Sequence, residues 1–304
     1  MKVAFLGNHT VGLVALKTLH QIAEVVAVVA HPADPEDGVR YASVYDWAMQ
    51  QSLPVYRGKP SDAGIVRLLA DAHPDLLWVT DYRYLLPTSL WQATPLGAIN
   101  LHPSLLPAYR GRAPLNWALI HGETEVGLTA HYITEAMDAG DIVAQVRIPV
   151  GPDDDIGMVL DALMPHYAAL PRQIVSSIEA GTLSRRPQDH ALATSFPRRT
   201  PDDGRISWQA SARAVHNLVR AVTAPYPGAF SFLGDTPVHV WRTQVSTRQP
   251  DVGTQPGTIV LVDAEGPHVA CGPSDNPGAI VLRHVTMAGA TVDAGTWQVG
   301  AHLS

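Results

Sequence analysis

The sequence predicts an α/β protein: a Rossmann-like, mostly parallel sheet in the N-terminal part, followed by a small β-barrel at the C-terminal end. Three observations carry that expectation. Residues 3–6 (VAFL) form an apolar run closed by a glycine turn and a helical pattern, which is how a doubly wound sheet opens. Apolar strand-like runs and helical patterns then alternate as far as Leu101, the signature of parallel βα units. Beyond residue 204, one amphipathic helix is followed only by short apolar runs broken by glycine and proline, the pattern of a small barrel.

Taken in order, the first turn reads GNHTVG. Gly7 and Gly12 do not make GxGxxG, so the dinucleotide fingerprint is absent. The helix that follows, marked by Val14, Leu16 and Leu19, still offers backbone N–H groups to a phosphate or sugar hydroxyl, or is simply a tight βα turn. Residues 24–30 (EVVAVVA) read as a buried parallel strand. The loop after it is acidic at Asp34, Glu36 and Asp37, and two prolines deny it regular structure. Helices are expected at residues 44–51 and 61–72, the second with Ser61 as N-cap, and strands at 53–56, 75–80 and 96–101. A Pro- and Gly-rich bend leads to a short helix ended by Gly122, then to strands at 128–133 and 142–150. Residues 156–179 are helical in pattern but contain Pro165 and Pro171, so a kink or two helices is expected.

Between residues 184 and 204 periodicity disappears and Pro, Asp and Arg dominate, as in a linker. The expected division is therefore a domain at residues 1–185, a linker at 186–204 and a barrel at 205–304. In the last of these, Val215, Leu218, Val219 and Val222 share one helical face, and Leu233-Gly-Asp-Thr is a hairpin turn.

Composition narrows the function. The net charge is −7 and no long Lys/Arg run is present, which counts against a nucleic-acid partner. Cys271 is the single cysteine, so neither an intramolecular disulfide nor a cysteine-pair zinc site is expected. No signal-peptide pattern and no membrane-span pattern is found, and the expectation is a cytoplasmic protein without membrane contact. None of the 14 histidines makes an HxxxH or HExxH pair, so no metal is expected; GxSxG is also missing.

The chemistry concentrates at residues 98–141. Asn100 and His102 stand two apart on one strand and therefore face the same way. Pro103 and Ser104 stop the strand there, and Asp138 and Asp141 follow the next one. A carboxamide, an imidazole and a carboxylate brought together by a fold are the parts of an acyl-transfer site.

Residues 100–142, NLHPSLLPAYRGRAPLNWALIHGETEVGLTAHYITEAMDAGDI, closely resemble the signature of the 10-formyltetrahydrofolate-dependent formyltransferases. The resemblance implies a Rossmann-like formyltransferase domain with an OB-like C-terminal barrel, and it implies that Asn100, His102 and Asp138 are catalytic. The amide of Asn100 and, if protonated, His102 would stabilise the oxyanion. Asp138 would orient His102 and help carry the proton, and the division of that task between His102 and Asp138 stays open. For the formyl donor, the resemblance implies contacts from Tyr82, Leu85 and Leu86, from Thr134, Glu135, Ala136 and Met137, and from Arg112.

Within the family, the chain is similar to amino-sugar N-formyltransferases, especially the domain acting on UDP-4-amino-4-deoxy-L-arabinose. The likeness lies at YASV, PVY, LLPAYRGRAPLNW, GETE, RRTPDD, VHNLVRAV and PGAFSF. It implies a UDP- or dTDP-linked amino sugar as acceptor, with Asn8, His9 and Thr10 as acceptor contacts by position. Many sugar enzymes of the family are dimers through the C-terminal region, so a homodimer is expected. The tRNA branch carries a basic insertion after the second strand where this chain has the acidic HPADPEDG. Residues 31–40 and the GNHTVG turn depart from the arabinose enzyme. Three further readings therefore remain: a hydroxyornithine-type acceptor, methionyl-tRNA, or a folate-binding homologue without activity.

Overall fold

The structure, a computed structural model, describes residues 1–32 and 41–304. The acidic stretch Asp34, Glu36 and Asp37 lies outside the described residues. Contacts divide the chain into two interleaved units. The first comprises Met1–Pro114, Glu125–Pro149 and Leu160–Phe196; the second comprises Leu115–Thr124, Val150–Val159 and Pro197–Ser304.

In chain order the first part gives β1 (Lys2–Gly7), α1 (His9–Ile22), β2 (Glu24–Ala30), α2 (Val44–Gln50), β3 (Val55–Arg57), α3 (Ala63–Ala72), β4 (Leu76–Thr80), α4 (Thr88–Gln92) and β5 (Ala98–His102). Then come β6 (Arg110–Gly111), α5 (Pro114–His121), β7 (Glu125–Tyr132), β8 (Ile142–Pro149), α6 (Ile156–Glu179) and β9 (Ser195–Phe196). The main sheet has the order β3-β2-β1-β4-β5-β7-β8. It is parallel from β3 to β5, whereas β7 and β8 run antiparallel. A central strand of a parallel sheet is covered on both faces, which is why the β1 and β4 runs are almost wholly apolar and buried. On one face Leu6, Val29, Leu77 and Val79 pack with Ile65 and Leu69 of α3.

The mostly parallel sheet is the one expected, with local differences. Helix α3 starts one residue later than Ser61 as N-cap implies, because Asp62 is the residue before its first turn. The side chain of Asp62 instead accepts the Lys59 N–H at 2.8 Å. Strand β7 begins three residues before 128, and α4 was not anticipated. α6 is one helix through both prolines. Each proline removes one N–H from the ladder, but Val159, Leu163, Tyr167, Leu170 and Ile174 continue a single buried stripe across them. No helix among the described residues is long and apolar enough to cross a membrane.

The second unit contains α7 (Ala212–Val222), capped by Ser211 Oγ, which accepts the Ala214 N–H at 3.2 Å. Its strands are β10 (Ala229–Leu233), β11 (Thr236–Val245), β12 (Ile259–Asp263), β13 (Gly266–Cys271), β14 (Gly278–Met287) and β15 (Ala290–Thr291). They pair in the antiparallel order β10-β11-β14-β13-β12, with β15 on β14. The expected β-rich C-terminal architecture is present, and the last residues complete it. Leu303 bridges Leu233, His302 bridges Thr258, and Ser304 and Phe232 exchange both backbone hydrogen bonds. The tail therefore lies between β10 and the start of β12 and closes the sheet on itself, which removes two open edges.

Leu303 is fully buried in that closure. Leu303→Ala should destabilise the second unit by about 2–5 kcal/mol, the range for a large buried aliphatic side chain. Denaturant unfolding measures it, and a loss well below 1 kcal/mol would show that the tail is not part of the core.

Candidate active site

The site is built on the face of β5 and β7 rather than on strand ends alone. Asn100 and His102 share one face of β5, and the antiparallel register sets His131 of β7 directly opposite Asn100. Asp138 comes from the loop joining β7 to β8. The base of that loop, at Tyr132, lies opposite Ile99, near the start of β5. The loop doubles back over the sheet face, so that Asp138 Oδ2 lies 3.7 Å from His102 Nδ1 and Oδ1 lies 3.6 Å from His131 Nε2. Asn100 Nδ2 is 3.2 Å from His131 Nε2. All three residues expected to be catalytic are thus in one cluster, joined by His131.

His131 was not singled out by the sequence. Its signal is cross-strand: it becomes visible only once β7 is paired with β5 in the right register. Each imidazole has its hydrogen placed by a carbonyl, which can only accept. His131 Nδ1 donates to Tyr132 O at 2.9 Å, so Nε2 accepts from the Asn100 amide in the neutral ring. His102 Nε2 donates to Tyr109 O at 2.8 Å, which turns its Nδ1 lone pair toward Asp138.

Burial decides the charge of His102. Desolvation holds its pKa below the ordinary 6.5 and outweighs the upward pulls of Asp138 and the Tyr109 carbonyl. Desolvation pushes Asp138 the other way, but positive charge on His102, a hydrogen bond and positive charge from His131 when those rings are protonated, and the Gly111 N–H, which donates to Oδ2 at 2.8 Å, lower its pKa below the usual carboxylate range. The resting pair is a neutral imidazole beside a carboxylate. This favours the base role for His102 over that of a charged oxyanion donor.

The bend between β5 and α5 shapes the mouth of the site. Tyr109, Ala113 and Asp138 all have positive φ, a conformation that side-chain-bearing residues adopt only when their surroundings impose it. Gly111, at φ 97°, is required: a Cβ there would stand 2.4 Å from Phe196 O. The stretch expected to be a linker supplies that neighbour. Arg110 N–H donates to Thr194 O at 2.8 Å, Arg112 N–H donates to Phe196 O at 3.0 Å, and Tyr109 stacks on Phe196.

Of the expected donor contacts, Arg112 donates to the Arg83 carbonyl and so ties residues 82–86 to the strand beside Asp138. Leu85 is 72% exposed and Met137 is 48% exposed, and Thr134, Glu135 and Ala136 are exposed as well. Tyr82 and Leu86 instead pack against the core under β4, and Tyr82 Oη donates to Gly58 O at 2.8 Å. These two support the loop rather than lie open. At the same edge of the sheet, after β1, Asn8 is buried with its amide 3.0 Å from His31 Nδ1. His9 Nδ1 is 2.7 Å from Asp81 Oδ2, and Thr10 is exposed.

Among the described residues, the three-ligand group suited to a metal is Asp263, Glu265 and His268, in the second unit. Its atoms already pair with one another and with Arg283.

The chain matches the family described as "Formyl transferase" over residues 1–173 and "Formyl transferase, C-terminal domain" over residues 198–301. Among solved structures, it is similar to WlaRD, a sugar 3N-formyl transferase studied with dTDP and 5-N-formyl-THF. The TM-score is 0.69 at 14% identity, over 95% of this chain and 98% of that one. An N-formyltransferase from Helicobacter canadensis, in complex with folinic acid and dTDP-3-aminofucose, also gives 0.69, at 16% identity over 93% and 99%. A methionyl-tRNA formyltransferase from Clostridium thermocellum gives 0.54 at 14% identity, over 81% and 94%. At these identities the likeness establishes the fold.

The electrostatics can be read in solution. The His102 imidazole should titrate below 6.5 by NMR, and Asp138→Asn, which removes a contribution raising its pKa, should lower it further. A midpoint that rises in the variant would contradict the arrangement.

Proposed function

The chain belongs to the formyl transferase family, and from that premise we propose that it is an N-formyltransferase carrying a formyl group from 10-formyltetrahydrofolate to the amine of a dTDP- or UDP-linked amino sugar. The observation that carries the chemistry is Asp138 within 3.7 Å of the neutral His102, beside the Asn100 amide.

The amine attacks the formyl carbon and negative charge develops on the formyl oxygen. One N–H of Asn100 is held by His131, and its other N–H is the donor for that oxyanion. The amine must lose a proton as the new C–N bond forms. His102 takes it at Nδ1, since its Nε2–H is committed to Tyr109 O, and the imidazolium so formed is stabilised by Asp138. When the tetrahedral adduct collapses, the bond from the formyl carbon to the folate nitrogen breaks. The proton on His102 passes to that nitrogen, and the resting state returns.

The exposed apolar side chains of Leu85 and Met137 and the open backbone at residues 134–137 suit a flat pterin, and Arg112 suits the anionic glutamate tail of the folate. For the acceptor, three facts support a sugar nucleotide. The solved sugar formyltransferases match over nearly their whole length, and the likeness at RRTPDD and PGAFSF lies outside the chemistry-bearing stretch. The charge of −7, with an acidic loop after β2, opposes a polyanion such as tRNA. Thr10, exposed at the start of α1, is placed for a hydroxyl or phosphate contact, while Asn8 and His9 brace that turn.

The test incubates purified protein and 10-formyltetrahydrofolate with a panel of dTDP- and UDP-linked 3- and 4-amino sugars, alongside methionyl-tRNA and hydroxyornithine. Release of tetrahydrofolate is expected with a sugar nucleotide; release only with tRNA or hydroxyornithine would reject the acceptor, and release with none would reject the function. His102→Ala and Asp138→Ala should each lower turnover by about a hundredfold or more with unchanged melting temperature. Near-normal rates would show that the site is elsewhere.

A further inference from the structure

We infer that Gln188 is the positioning residue for the carboxylate of Asp138, its side-chain amide clamping the loop backbone that carries it. The inference rests on the reading of Asp138 as catalytic. Gln188 is 6% exposed, and its Nε2 donates both to Asp138 O at 2.8 Å and to Gly140 O at 2.7 Å. Which way the amide points is fixed by its other end. Oε1 accepts from Arg110 Nε at 3.2 Å and Nη2 at 2.6 Å, and a guanidinium has only donors to offer. His190 Nδ1 lies 3.0 Å from Arg110 Nη2 and steadies the guanidinium in turn.

The clamp acts where the loop needs holding. Asp138 has φ 51°, a conformation a free aspartate leaves readily, and the two carbonyls bound by Gln188 bracket the peptide units immediately after it. The return path is equally confined: a Cβ at Gly140 would stand 2.0 Å from Tyr132 O. With the backbone pinned on one side by Gln188, the side chain of Asp138 is delivered to Gly111 N–H and the two imidazoles on the other.

The same stretch of chain also holds the partners. Residues 194 and 196 bond the backbone of Tyr109, Arg110 and Arg112, which sets both the carbonyl that orients His102 and the N–H that meets Asp138. Arg110 belongs to both halves, through its backbone to β9 and through its side chain to Gln188. Carboxylate, imidazole and the segment from 188 to 196 therefore form one closed bonded circuit. Gln188 itself touches none of the reacting groups.

The test uses Gln188→Met, which keeps the length and removes both donors. The carboxyl carbon resonance of Asp138, assigned by its absence from the Asp138→Asn spectrum, should titrate nearer the ordinary carboxylate range in Gln188→Met, because a loosened loop loses the groups that depress it. An unchanged titration in a folded variant overturns the inference. With an acceptor from the panel above, Gln188→Met should lower kcat about 10–100-fold and change the KM for 10-formyltetrahydrofolate less than about threefold. In an Asp138→Asn background the same substitution should cost less than about threefold, as expected of two residues acting through one contact. Full additivity overturns it. Should Gln188→Met not fold, Arg110→Met frees the amide to rotate and is read by the same two measurements. Near wild-type turnover in Asp138→Asn itself would instead sink the reading of Asp138 on which the inference stands.

Discussion

The arrangement depends on one buried negative charge. Asp138 is largely removed from water; the Gly111 N–H donates to its carboxylate at 2.8 Å, and two imidazoles stand 3.6–3.7 Å from it. Burying a carboxylate without partners would drive it to protonate. Here the Gly111 N–H supports the ionised form directly, and a proton on His102 or His131 strengthens it. The gap to His102 Nδ1 is too long for a hydrogen bond, so the charge is under-satisfied in the resting state. A proton gained by His102 completes the pair, and opposite charges near 4 Å at an effective dielectric of ~20 attract by about 4 kcal/mol. That attraction exists only after proton transfer, which is where a catalyst needs it.

Holding such a charge at the tip of a long loop is a problem of backbone geometry, and the chain solves it with non-local bonds. β7 and β8 fix only the base of the loop. Its tip is fixed by Gly111 and Gln188, which lie far away in sequence. The bend at residues 109–113, which has three positive-φ residues of its own, is in turn laid against β9. Strained conformations on both sides of the carboxylate persist because each is bonded by a segment that does not itself carry the chemistry. A connecting stretch rich in Pro, Asp and Arg thereby becomes part of the site's scaffold.

Much of this was legible and some was not, for identifiable reasons. The apolar runs at β1, β2 and β4 announced buried parallel strands, because burial on both faces leaves no room for alternation. Asn100 and His102 could be paired because a strand has period two, and Asp138 because of the family resemblance. His131 could not be paired without the β5–β7 register, and Gln188 could not because a side chain bonding distant carbonyls leaves no periodic trace. The loss of periodicity after residue 184 was read as a linker. The backbone there is anchored by bridges to β6 and, at Arg186, to Ile142. α6 is a similar case: two prolines suggested a break, but the buried stripe across them is continuous and the helix runs on.

The surroundings of Asp138 and the GNHT turn, at one edge of the parallel strands, are built on different principles. Around Asp138 the polar atoms are buried and aimed at one another, a geometry that tolerates little change of substituent. At the GNHT turn, His9 and Asp81 face each other across the ends of β1 and β4, both with positive φ, and the His9 ring lies 3.9 Å from that of Tyr41. His31, Tyr82 and Tyr84 pack edge-on or tilted beside them. This region offers rings and partly exposed polar groups on loops, which can be exchanged without disturbing the carboxylate circuit. A buried, mutually bonded cluster on the sheet face beside exchangeable loop side chains is the division that suits a transferase whose donor is constant and whose acceptors differ. It explains why residues 98–141 identify the reaction so readily while the acceptor has to be sought among loops.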